Sequence, residues 1–134
     1  MEHLFTYTTL AQILTSAFLA ILFLQSGLDK VFDWKGNLSW LNEHFSKSPL
    51  KNFVPRLLAI ITLFEVCSGV FSAIGSVMIV LGKESDIALL GALLSSTSIL
   101  MLFFGQRLAK DYAGAATLVS YFILTIIAII LLGK

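Results

Sequence analysis

Charge and cysteine are scarce in this chain, and each shortage excludes something. Only 13% of its residues are charged and 57% are hydrophobic, whereas a soluble domain carries about 25% charged residues. The mean hydropathy of +0.92 agrees. Little sequence is left for a soluble part, so residues 1–134 read as a single integral membrane domain. The net charge of +1 supplies no basic surface, and no nucleic-acid partner is expected. The lone cysteine, Cys67, rules out an internal disulfide, a CxxC redox pair and a cysteine-built metal site within one chain. Cys67 itself reads as a small buried hydrophobe. Both histidines, His3 and His44, lie outside the apolar runs, so no histidine pair is set to ligate haem, and no glycine-rich nucleotide loop is present. No metal site is expected. The N-terminus lacks a basic leader, and its apolar run is followed by Gln25-Ser26-Gly27 rather than a small-residue cleavage site, so no cleaved signal peptide is expected.

What the chain has is four long apolar runs. A spanning helix needs about 20 mostly apolar residues, and residues 8–28, 55–81, 87–106 and 113–132 qualify. Pro55 stands where the first turn of a helix accepts it. The runs are continuous rather than alternating, which argues against a β-barrel. The short links "GKESD" and "RLAKDY" make the second, third and fourth runs antiparallel neighbours. The fold class is therefore an all-α membrane protein, a four-transmembrane-helix bundle in the lipid bilayer.

The only long connection, 29–54, carries Trp34, Trp40, Leu41, His44 and Phe45 among polar residues. The spacing predicts a short amphipathic helix over 38–46, lying in the interface with Trp34, Trp40 and Phe45 at headgroup level and His44 among the headgroups. Seven basic residues (Lys30, Lys35, Lys47, Lys51, Arg56, Arg107 and Lys110) flank the first and third connections, against Lys83 and Lys134 on the other side. The positive-inside rule places the first side in the cytoplasm and both termini outside.

Glu65 is the anomaly, a carboxylate inside "ITLFEVCSGVF". At 1.5 Å per residue from Pro55 it comes about 15 Å into a core about 30 Å thick. It shares a helix face with Gly69, Ser72 and Ser76, and Gly91, Ser95 and Ser98 form a similar stripe in the third run. In the fourth, Ala113, Ala116 or Thr117, and Ser120 are expected to do the same. Small residues let membrane helices approach closely, so Glu65 should face the bundle interior, on a packing seam or a cavity. A carboxylate there needs a partner or a proton. The long polar side chains gather at one side of the membrane: Gln25, Ser26, Asp29 and Lys30 after the first run, and Gln106, Arg107, Lys110, Asp111 and Tyr112 before the fourth. Lys30 or Arg107 could pair with Glu65, Gln25 could bond its neutral form, and Tyr112 with Trp34 could line a mouth. Asp111 is placed to cap the fourth helix.

"LQSGLDKVF" and "FEVCSGVFSAIG" together resemble the DoxX-like family of small four-helix membrane proteins. The resemblance rests on Gly27 with Lys30 three residues on, and on Glu65 followed by Gly69 and Gly75. Ser68-Gly69 departs from the commoner glycine pair. The resemblance implies a bacterial inner membrane and association with quinone-linked systems. The residues themselves show no cofactor site, so the chain is expected to have no catalysis of its own. It is expected to be an accessory or structural subunit working with other membrane protein subunits. The alternative is a quinone- or lipid-binding membrane protein linked to a redox system, a quinone being the one cofactor this reading admits.

Overall fold

The computed structural model describes residues 6–133; His3 and Lys134, named above, lie outside them. Five helices and no strand occur among the described residues: α1 (Tyr7–Phe32), α2 (Trp34–His44), α3 (Val54–Val80), α4 (Asp86–Leu108) and α5 (Tyr112–Leu132). All but α2 are long and apolar enough to cross a membrane. The expected four-span architecture with a short helix between the first two spans is what the chain adopts.

Local signals explain most boundaries. The Thr6 hydroxyl accepts from Thr9 N–H at 3.2 Å and starts α1. Pro55 occupies the opening turn of α3, where its missing N–H costs nothing. Gly82, at φ 81°, ends α3. Asp111 caps α5 by accepting from Gly114 N–H at 2.9 Å, as its position before the fourth run suggested. The turn into α5 places Lys110 at φ 60°.

Two expectations are corrected. The short helix between the first two spans runs over Trp34–His44, not 38–46, and α1 continues to Phe32, so one residue, Asp33, separates them. The amphipathic repeat in fact begins at Trp34: Trp34, Asn37, Leu38, Leu41 and His44 are half-buried while Lys35, Gly36, Ser39 and Asn42 are exposed. On α5, Ala113, Ala116, Thr117 and Ser120 are exposed, and the buried positions are Ala115, Thr125, Ala128 and Leu132. Small residues occur on more than one face of α5, so they could not identify its packing side; burial follows the i, i+3, i+7 rows that contain Ala128 and Leu132.

Packing order follows from the approach of helices. α3 is central, lying along α1 on one side and α4 on the other; α5 packs on α4 and touches α1, which closes the bundle. The Gly75 backbone abuts Ala88 of α4, and Gly91 of α4 abuts Ser72 of α3. The apolar core is built around Leu19, Phe23, Ile79, Ala92, Ile99 and Leu132. Glu65, Gly69, Ser72 and Ser76 of α3 and Gly91, Ser95 and Ser98 of α4 are all buried. Two hydroxyls on this seam are satisfied along their own helix, Ser95 to Gly91 O at 2.7 Å and Ser98 to Leu94 O at 2.8 Å; Ser76 bonds across to Ile13 O of α1 at 3.3 Å, and Ser72 Oγ is buried with no partner among the described residues.

Candidate functional site

Glu65 stands in mid-α3 and is 2% exposed. One turn of α1 supplies its partners. The Lys30 ammonium lies 2.8 Å from Glu65 Oε1. The Ser26 hydroxyl donates to Oε2 at 2.6 Å. Lys30 Nζ also donates to Ser26 Oγ at 3.0 Å, so three side chains form a closed triangle. Ser26 and Lys30 are four residues apart and share a helix face, which is why both reach the same carboxylate. α1 must come close to α3 for this to happen. A Cβ at Gly27 would lie 2.8 Å from Val66 Cγ2 and 3.0 Å from Val66 N. Glycine there lets the backbones approach beside the charge pair.

The remaining polar residues divide into two groups. Arg107 does not reach Glu65. Its guanidinium lies over the Tyr112 ring, 4.5 Å from the centroid, and both residues are exposed at the α4–α5 junction. An arginine in the last turn of a span keeps its head in the polar zone, and stacking on tyrosine achieves that. Gln25 and Asp29 are exposed, and the bonding place offered to Gln25 is taken by Ser26. Asn37 Nδ2 lies 3.5 Å from Asp29 Oδ2 and donates to Asp33 O at 2.9 Å, tying the α1–α2 corner.

His44 ties α2 to the far side of the bundle. Its Nε2 is 2.8 Å from Gln106 Oε1 and 3.6 Å from Asp111 Oδ2. Trp40 stacks on the same imidazole at 4.6 Å, and Phe45 meets it edge-on at 5.1 Å. His44 is thus bonded to protein groups of α4 and the α4–α5 turn, where the sequence suggested headgroup contact. Phe45 packs on Gly105, at 3.6 Å from where a Cβ would stand.

Beneath α2 lies a cavity of about 380 Å³. α2 and the chain after it roof it; the first half of α3 and the last turns of α4 form its walls. The walls are apolar: Leu58, Ile61, Met101 and Leu102 are among them. Its polar lining residues, Lys30, Asn37, His44 and Gln106, are half-buried while Val54, Leu58 and Ile61 are buried, so the polar groups stand at the rim. Leu57, Ile60 and Phe104 line the cavity and are also exposed on the apolar surfaces of α3 and α4, so it opens sideways to the bilayer. Glu65 is not among its lining residues, whereas Lys30 is. Lys30 therefore connects the buried carboxylate with the cavity. Trp34 and Tyr112 do not line it; Trp40 does.

Sequence reading found Glu65 and Lys30 and offered a cavity beside Glu65; the cavity lies under α2 instead. Its walls come from residues 41–61 and 101–106, which are distant in sequence and individually unremarkable apolar residues. The signal that was present is the ring cluster Trp40, His44 and Phe45, of which Phe45 meets Gly105 and His44 bonds Gln106.

No protein-family model, curated protein or solved structure matches this chain.

Proposed function

We propose that this polytopic membrane protein binds an amphipathic lipophile, a membrane lipid or a quinone, in the cavity under α2. One observation carries the reading: an apolar cavity of about 380 Å³, open to the bilayer, with Lys30, Asn37, His44 and Gln106 on its rim. Small-molecule sites have this form, volumes of about 300–1,000 Å³ with apolar walls and few polar groups that fix orientation. A tail would lie against Leu58, Ile61 and Met101, and a head would meet the donors at the rim. The DoxX-like resemblance adds the expectation of a bacterial inner membrane and of a quinone-linked system.

The test is chemical. The protein is purified in mild detergent, extracted with organic solvent, and the extract is weighed against protein by mass spectrometry. Wild type should retain one class of lipophile near one per chain, and Met101→Trp, which fills the cavity, should lose most of it. Equal, trace amounts in both would end the proposal.

A second reading keeps the chain as an accessory subunit of a larger membrane assembly. Supporting it, Glu65 is held by α1 and does not line the cavity. Its carboxylate acts as a latch between helices. In that reading the cavity receives a side chain of a neighbouring subunit.

A further inference from the structure

The cavity rim carries two basic side chains, and each already has an acid behind it. Lys30 Nζ lies 2.8 Å from Glu65 Oε1. His44 Nε2 lies 3.6 Å from Asp111 Oδ2. Neither acid lines the cavity. The rim therefore carries no unbalanced lysine charge, and the Lys30 ammonium and His44 Nε2 are already turned to protein acceptors. Gln106 adds to this: its Oε1 is occupied by His44, which leaves its amide N–H groups, with no other partner among the described residues, as donors at the rim.

From this arrangement we infer the class of headgroup the site selects: uncharged, bearing carbonyl or hydroxyl oxygens, and not an anionic phosphate or carboxylate. The inference rests on the cavity being a binding site. Its physical basis is competition for one ammonium. An anion touching Lys30 Nζ would sit within about 4–6 Å of the Glu65 carboxylate, the range in which like charges strongly disfavour one another. A surface lysine would attract anionic lipid; this one has spent its charge on α3. A neutral carbonyl oxygen accepts from the Gln106 amide without that repulsion, while the three Lys30 N–H groups face Glu65 Oε1, Ser26 Oγ and Ser26 O. The ester carbonyl of a neutral glyceride and the ring carbonyl of a quinone share this chemistry. Glu65 is accordingly a selectivity determinant that acts through Lys30 rather than by touching the ligand.

The test uses Trp40, which lines the cavity, as the reporter. Full-length protein in a neutral micelle is titrated with a dibrominated monoacylglycerol or with the fatty acid of the same chain, at a pH where the acid is ionised. With Trp34→Phe in every protein compared, quenching of the Trp40 emission reports occupancy. Wild type should prefer the glyceride by about tenfold. Glu65→Gln, which frees the Lys30 charge, should reverse the order. The double variant Lys30→Met with Glu65→Gln, in which no charge is left unpaired, should restore preference for the glyceride, and it keeps the test decisive if the single variant folds poorly. A saturated-tail benzoquinone added as competitor separates the two sources: strong displacement of the glyceride assigns the carbonyl to a quinone, weak displacement to a glyceride. Wild type binding the fatty acid as tightly as the glyceride overturns the inference while leaving the cavity a binding site. Absence of quenching by every probe overturns both.

Discussion

Lys30 Nζ and Glu65 Oε1 are 2.8 Å apart across the α1–α3 contact, beside the point where Gly27 brings the two backbones together. The pair joins helices distant in sequence, and the Glu65 carboxylate is closed off from solvent. Glu65 is 2% exposed and Lys30 16% by side chain, so the carboxylate carries most of the dependence. Removing one partner of a buried pair leaves the other uncompensated, at a cost of about 3–5 kcal/mol. Lys30→Ala should therefore lower the unfolding midpoint in detergent sharply. Lys30→Met with Glu65→Gln should recover much of that loss, because apolar or neutral replacement of a whole pair is often tolerated. A double-mutant cycle measures the coupling; simple additivity of the two single losses would show that the pair is not a latch.

Two glycines make a contrast. Gly27→Ala places a methyl 2.8 Å from Val66 Cγ2 and 3.0 Å from Val66 N. Overpacking of this kind costs about 1–3 kcal/mol. At Gly105 the nearest atom to an added methyl is Phe45 Cζ at 3.6 Å, an ordinary contact. Gly105→Ala should be neutral or stabilising by up to about 1 kcal/mol, through the lower backbone entropy of the unfolded chain. Thermal midpoints of the two variants should move in opposite directions or differ clearly in size.

How α2 is held can be read from Trp40. Its indole stacks on His44, which is anchored to Gln106. His44→Ala removes both the stack and the tie to α4. Acrylamide should then quench tryptophan emission more efficiently than in wild type, and protease cleavage within residues 34–53 should quicken. Unchanged quenching and cleavage would mean that α2 is held by its apolar contacts alone.

Asp111 serves α5 as a cap, accepting from Gly114 N–H at 2.9 Å. Loss of such a cap costs about 0.5–2 kcal/mol. Asp111→Ala should destabilise by that amount, and Asp111→Asn, which keeps an acceptor oxygen, should retain most of the stability.

The sequence made the spans legible because continuous apolar length is a strong signal, and it made Glu65 and Lys30 legible because charge in such a setting stands out. Ser26 was visible only as a neighbour of Lys30 on one helix face; nothing in its type distinguishes a hydroxyl bonded to a carboxylate from one bonded to its own helix. Arg107 and Lys30 looked equivalent as partners for Glu65. What separates them is the rotation of α4 and the nearby Tyr112 ring, and both are tertiary. The cavity was illegible for the same reason. It exists because α2 stands off from α3 and α4, and a distance between elements has no signature in residue order.

Whether the space beneath α2 holds a lipophile or a neighbour's side chain can be settled in the native membrane. Met101 lines that space. With photoreactive benzoylphenylalanine in its place, irradiation of intact membranes followed by mass spectrometry of the intact chain should add the mass of one small amphiphile. Crosslinking to another polypeptide, or no adduct at all, would refute lipophile binding at this site and, in the first case, establish the subunit reading instead.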